Sequence, residues 1–141
     1  MSLPALDRFP HALWARLVAR HAHRLAPDDA KRVVGWSSLS TFRGRDGYRF
    51  TAEVSVYVHP SAQRQGVATQ LLQSIEAAAR ERRLHALVAV IDAAHTASIS
   101  LFRRSAFAER GRLAEVGWKF GSWRDEVFMV KLLEASGADA A

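Results

Sequence analysis

A mixed α/β domain is the fold class that this sequence predicts, and three observations predict it. Two runs rich in β-branched and aromatic residues flank RGRDG at 43–47, the pattern of a hairpin. The run HALVAVI at 85–91 is almost continuously apolar, as in a strand covered on both faces. Between them, residues 66–83 repeat apolar side chains at helical spacing, which makes a helical crossover.

In chain order, residues 9–24 read as a helix, with Leu13, Trp14, Leu17 and Val18 among arginines and histidines. Pro27-Asp28-Asp29 ends it. RVVGWSSLST at 32–41 reads as a strand and YRFTAEVSVYV at 48–58 as its partner, joined at Asp46-Gly47. In the second strand Val54, Val56 and Val58 share one face, and Glu53, Ser55 and Tyr57 share the other. Pro60 stops the ladder because it has no N–H to donate. The helix at 66–83 buries Leu71, Leu72, Ile75, Ala78 and Ala79, leaving Gln73, Glu76, Arg80 and Arg83 outside. A shorter helix follows at 96–104, with Ile99 and Phe102 one turn apart. Residues 106–110 and 126–133 read as strands separated by GRLAEVGWKFGSWRD. The whole chain, 1–141, reads as a single domain with a frayed tail at 134–141.

Composition narrows the function classes. The 141 residues are 49% hydrophobic and 24% charged, a globular mixture with no run long enough to span a membrane as a helix. There is no cysteine, so disulfides, thiolate metal sites and a cysteine nucleophile are excluded. A cytoplasmic protein is the simplest reading. The net charge of +6 is carried mainly by arginine, which suits phosphate or carboxylate partners. The arginines form no block, and no RNA- or DNA-binding motif accompanies them, so nucleic acid is not the expected partner. His21 and His23 lack further ligands at suitable spacing, and no metal is expected.

The stretch Gln63-Arg64-Gln65-Gly66-Val67-Ala68 lies between the second strand and the long helix. A helix start offers backbone N–H groups without internal partners, and a phosphate can take them. Taken alone, the stretch is equally an ordinary turn. It is neither a P-loop nor a Rossmann turn, since G-x-x-x-x-G-K-[ST] and G-x-G-x-x-G are both absent.

Gln63-x-x-Gly66-x-Ala68 resembles the Q/R-x-x-G-x-G/A acyl-CoA loop of the GNAT N-acyltransferase superfamily. VVGWSSLSTFR, YRFTAEVSVYVHP, QRQGVATQLL, LHALVAVID and VGWKFGSWRDEVFM, in that order, resemble its phosphinothricin acetyltransferase-like branch over residues 32–133. The resemblance implies a mostly antiparallel, splayed central sheet flanked by helices. It implies acetyl transfer from acetyl-CoA to the amine of a small amino-acid-like substrate, such as phosphinothricin or methionine sulfoximine or sulfone. It implies that Val56, Tyr57 and Val58 present backbone groups to the pantetheine arm. Gln63, Arg64, Gln65, Gly66, Val67 and Ala68 would then hold the pyrophosphate, with His95 and Ser98 near the thiol end. An alkyl amine with a pKa of about 10 must lose a proton before it attacks, and Glu53 is the general base on this reading. Backbone N–H groups near Val56 would polarise the thioester oxygen. Arg43 and Lys119 are the candidate cations for an anionic substrate at the open end of the sheet, with Tyr48 and Thr51 as hydrogen-bonding neighbours. Trp36, Phe42, Trp118 and Trp123 are either pocket walls or core.

Three departures from that branch stand out. Phe102 occupies the place of a His or Tyr that can donate a proton, His95 replaces an Asn, and Ala106 replaces a Gly. A thiolate whose conjugate acid has a pKa of about 8.5 can leave without a donor, so Phe102 is compatible with turnover. Relatives also begin with a further strand and helix, and the start of this chain resembles their second helix instead. An uncovered sheet edge would favour a homodimer. The competing reading is a non-catalytic or degenerate module that binds acyl-CoA without turnover.

Overall fold

The computed structural model describes residues 34–134. The helix expected over 9–24 and residues 135–141 of the expected tail lie outside them. Strands β1 (Gly35–Thr41) and β2 (Thr51–Val58) are followed by helix α1 (Val67–Glu81), β3 (Ala86–Asp92) and helix α2 (Thr96–Arg104). Strands β4 (Ala108–Lys119) and β5 (Ser122–Leu132) complete a five-stranded sheet of order β1-β2-β3-β5-β4. Only β2 and β3 run parallel, joined by the α1 crossover; the other neighbours are antiparallel. This is the mixed, mostly antiparallel α/β sheet that the sequence predicts.

The buried stripe of α1 is the expected one, Leu71, Leu72, Ile75, Ala78 and Ala79. Leu72, Ile75 and Ala79 pack on the sheet face that carries Leu39 and Val54, in one core with Leu87, Ile91, Val127 and Met129. Ile99 and Phe102 of α2 enter the same core, with Phe102 edge-to-face on Phe107 at 5.0 Å. Glu76 corrects the expected outer face of α1, because it is buried. Lys131 Nζ lies 2.8 Å from its Oε2 and also donates to the Ser105 carbonyl, so the charge is paired as burial demands.

Two strand boundaries also differ from expectation. Strand β2 begins at Thr51 rather than at 48, because residues Asp46–Tyr48 close a single 3-10 turn. Arg49 Nη1 donates to both the carbonyl and the carboxylate of Asp46 at 3.1 Å and holds that turn. The segment 111–125, read as a separator, is instead the body of a long β4–β5 hairpin. Its turn is Phe120-Gly121, both with positive φ (52° and 72°), the backbone of a tight two-residue hairpin turn. A phenylalanine in the first left-handed position hides that turn from a reading based on Asn-Gly and Asp-Gly. Register shifts at Glu109/Gly111 and Leu113/Gly117 bulge the outer strand β4.

Candidate active site

The site begins where the sheet divides. β2 and β3 pair over three positions, Thr51↔Ala86, Ala52↔Leu87 and Glu53↔Val88. Beyond Glu53, β2 stays with β1 as far as Val58, while β3 stays with β5 as far as Asp92. A wedge therefore opens between Val54–Val58 and Ala89–Asp92, with Glu53 at its vertex.

The backbone polarity of the wedge follows from the ladder. His59 N donates to the Val34 carbonyl at 2.7 Å, which sets the phase of the β1–β2 pairing. Hydrogen-bonding directions alternate along a strand, so Glu53, Ser55 and Tyr57 direct their backbone groups to β1. The Val54 N–H is taken by β3 in the last parallel pair, Glu53↔Val88. Val56 and Val58 direct their backbone groups into the wedge, where an extended ligand would pair as an added strand. Of the three residues expected to present backbone groups, Val56 and Val58 therefore face the wedge. The Tyr57 backbone does not, because it belongs to the β1 ladder; its ring lies 4.1 Å from that of Trp36.

At the open end, β2 runs into the turn that starts α1. Pro60–Ala62 form a 3-10 turn capped by His59, whose Nδ1 accepts from Ser61 N, and Gln65 Nε2 donates to the Ser61 carbonyl. The Gln65 side chain is thus part of the loop's own scaffold. Arg64 has φ 59° and Gly66, at the N-cap of α1, has φ 78°. This left-handed backbone leads directly into α1, whose first amides lack intrahelical partners, and at Gly66 it disfavours any residue with a Cβ. Among the described residues no side chain caps the helix, and its first turn holds no acid, which suits its positive end to an anion. Gln63, Arg64, Gln65 and Gly66 are exposed around it, whereas Val67 is buried and anchors the turn with Ala62 and Leu71. Ala68 packs against the main core. The loop follows directly on β2, so the helix start and the wedge adjoin along one strand.

Glu53 lies on the sheet face away from α1, half-buried. Burial pushes its carboxyl above the usual range, and the charge of Glu126 pushes it further. The register explains the second effect: Glu53, Val88 and Val130 share a face, and Glu126 lies on that face four residues along β5. Glu126 escaped the reading of the sequence, although it is the one acid in an otherwise apolar strand segment, EVFMV.

The remaining candidates separate into two groups. Thr51 lies two residues before Glu53 on the same face, next to the 42–50 loop. In that loop the Arg43 guanidinium sits 5.4 Å from the Tyr48 ring and 5.8 Å from the Phe42 ring. This is the paired end of β2. Lys119 lies at the opposite end, on the β4–β5 hairpin, stacked on Phe120 at 5.1 Å. Hydrogen bonds from Arg124 and the Ala94 N–H lower the Asp92 pKa, and the Lys119 charge adds to them. Strand rise puts the two ends roughly 20 Å or more apart, so one small acceptor does not bridge Arg43 and Lys119. The expectation that both serve the open end is corrected for Arg43.

His95 and Ser98 follow Asp92 at the open end of the β3 arm, with His95 Nδ1 and Ser98 Oγ 2.9 Å apart. They stand several residues of β3 away from Val88, the partner of Glu53, and so at the opposite end of the wedge from the vertex rather than beside it as expected for the thiol end. They are fixed there by Asp92, which binds Arg124 Nε at 2.7 Å and accepts from Ala94 N. Asp125 holds the other side: its carbonyl accepts from Ala93 N, and its Oδ1 from Glu115 N in the bulge of β4. Phe102 is 4% exposed and offers no polar atom to the wedge. Trp118 and Trp123 form an exposed cross-strand pair, 4.8 Å between centroids, and are not core. Among the described residues no group of His, Asp or Glu is arranged to hold a metal, and no helix is long and apolar enough to cross a membrane.

The profile of the acetyltransferase (GNAT) family matches residues 3–107. The chain is 40% identical over 118 residues to an L-methionine sulfoximine/L-methionine sulfone acetyltransferase of Pseudomonas paraeruginosa, covering 82% of this chain and 69% of that one. It is 38% identical over 134 residues to the phosphinothricin N-acetyltransferase of Alcaligenes faecalis, covering 94% and 68%. The structure of yncA from Salmonella typhimurium with its cofactor acetyl-CoA superposes with a TM-score of 0.73 at 38% identity, covering 80% and 66%. The chain thus spans about two thirds of the length of each of these proteins.

Proposed function

The chain belongs to the acetyltransferase (GNAT) family, whose co-substrate is acetyl-CoA, and on that premise we propose that it N-acetylates the primary amine of a small amino-acid-like acceptor. Relatives that act on methionine sulfoximine, methionine sulfone and phosphinothricin supply the acceptor class. One observation carries the reading: the sheet divides immediately after Glu53, so the vertex of an extended-ligand wedge coincides with a carboxylate of raised pKa.

Acetyl-CoA supplies the thioester to be attacked. The residues present fit it. Val56 and Val58 would pair with its pantetheine arm through the backbone groups that face the wedge. The uncapped amides at the start of α1 and the Arg64 guanidinium would hold its pyrophosphate. Glu53 takes the proton from the acceptor ammonium, directly or through water. Its raised pKa brings it nearer the amine's, which eases that transfer. Thr51, Tyr48 and Arg43 contact the acceptor from the paired side of the vertex, with Arg43 facing its carboxylate. Lys119 serves the hairpin side of the wedge. His95 and Ser98 border the open end. The reading includes a homodimer in the cytoplasm, with exposed Val116, Trp118, Phe120 and Trp123 as the apolar surface for a second copy.

Phe102 favours a second reading, binding without turnover, because α2 has no proton donor where it packs on the sheet. Thiol release from acetyl-CoA decides between the two. Phosphinothricin, methionine sulfoximine, methionine sulfone and the common amino acids form the acceptor panel. Release with at least one acceptor is expected; acetyl-CoA binding without release from any of them leaves the binding module standing.

A further inference from the structure

We propose that Gly35 of β1 is a positioning residue for both halves of the acetyl-CoA site, setting where α1 starts and where the wedge strand β2 ends. The proposal rests on the reading of wedge and loop as that site.

Gly35 pairs with Val58, the last residue of the wedge strand. A Cβ built on it would lie 2.8 Å from the Tyr57 carbonyl oxygen, 3.0 Å from Leu71 Cδ1 and 3.2 Å from Val67 Cγ1. The first of these is backbone and cannot rotate away, so β1 or β2 would have to move. The other two belong to the first two turns of α1, where Val67 and Leu71 stack one helical turn apart. The glycine is therefore required for space, not for an unusual φ. A single methyl here presses on the tail of β2 and on the first turn of α1 at once.

Two residues along β1, Ser37 makes the adjoining contact. It is fully buried, and its Oγ donates to the Leu71 carbonyl at 3.3 Å. Gly35 and Ser37 face the same side of the strand and touch the same side of the helix. Together they fix the depth and the axial position of α1 against β1. Interiors are packed too densely to absorb such a shift locally. The uncapped amides at Val67 and the wedge-facing backbone at Val58 would therefore separate from their mutual spacing. That spacing matters only to a ligand that engages both, a diphosphate joined to an extended amide-bearing arm. The acceptor side, built on Thr51 and the 42–50 loop, lies at the other end of β2.

The test is Gly35→Ala in the full chain, with folding checked by thermal melting. Titration calorimetry with acetyl-CoA is expected to show binding weaker by about tenfold, equivalent to about 1.4 kcal/mol. In thiol-release kinetics the KM for acetyl-CoA rises by a similar factor, while the KM for the acceptor stays within about twofold. A folded Gly35→Ala protein that binds acetyl-CoA like the unmodified chain, or that raises both KM values alike, overturns the proposal. Should Gly35→Ala not fold, Ser37→Ala carries the test, with acetyl-CoA binding expected to weaken by about threefold and unchanged binding overturning it. Absence of binding by the unmodified chain removes the function reading itself, a result distinct from a difference between variants.

Discussion

The α1 start and the β4–β5 hairpin flank the same wedge and are built in opposite ways. The α1 start is made of backbone: two left-handed residues, uncapped helix amides and a buried underside of Ala62, Val67 and Leu71. The hairpin is made of side chains on a mostly exposed ribbon, bulged twice and tied at its base by Asp92–Arg124 and Asp125–Glu115. A backbone site imposes small residues at fixed spacing and so leaves a motif in the sequence. A side-chain site does not, because the partners come from distant segments. On the proposed function the co-substrate takes the backbone site, and the acceptor contacts, Arg43, Tyr48 and Thr51, are again side chains, at the paired end of β2.

Glu53→Gln tests whether the vertex between the two regions is where chemistry occurs. Loss of a general base lowers kcat by about a hundredfold or more, while acetyl-CoA binding is unchanged by calorimetry. The activity of the unmodified chain should rise with pH through a carboxyl pKa above the usual range, and this limb should vanish in the variant. The same shift makes a stability prediction. The Glu53 pKa is raised in the fold, so its contribution is fully present below its unfolded pKa and is lost as pH rises through the folded value. At neutral pH, Glu53→Gln should therefore unfold at a higher urea concentration than the unmodified chain.

The clamp that joins the two regions is Glu76–Lys131, from α1 to β5. Lys131→Met leaves Glu76 buried with Arg80 alone, at 3.6 Å, and should cost about 3 kcal/mol in urea unfolding. A change under about 1 kcal/mol would mean that the pair is more solvated than its burial implies.

Much of this is legible in the sequence, and the exceptions have physical causes. Helix α2 falls at 96–104 as read, and α1 differs by only one or two residues at its ends. Its apolar stripe is correct except at Glu76, whose partner is 55 residues away and invisible to local periodicity. The β4–β5 hairpin carries no Asn-Gly or Asp-Gly signal, because Phe120 and Glu115 rather than Asn or Gly take the positive φ values. Gln63-x-x-Gly66-x-Ala68 was legible because the backbone demands it. Arg43 and Lys119 were placed together because charge type says nothing about which end of a sheet a residue occupies.

Gly66→Val attacks the backbone site alone. A β-branched residue at φ 78° costs about 1–3 kcal/mol, and acetyl-CoA binding should weaken by about tenfold, read by calorimetry. Trp123→Ala attacks the hairpin alone. Removing one ring of an exposed cross-strand pair should cost about 0.5–1 kcal/mol of stability and leave acetyl-CoA binding unchanged; weakened binding would show that the hairpin also holds the co-substrate. Asp92→Asn should have the smallest effect. The side-chain hydrogen bond from Arg124 depresses the Asp92 pKa most, followed by the backbone hydrogen bond from Ala94, so its contribution exists above the unfolded pKa and disappears as pH falls through the folded one. The gap in melting temperature between Asp92→Asn and the unmodified chain should therefore close on acidification.

Calorimetric titration of acetyl-CoA into the unmodified chain, Glu53→Gln and Gly66→Val tests most directly whether the wedge and the α1 start form one acetyl-CoA site with Glu53 at its vertex. Saturable binding that is equal in the first two and weaker by about tenfold in the third is the expected result. No binding to the unmodified chain, or equal binding to all three, would contradict it.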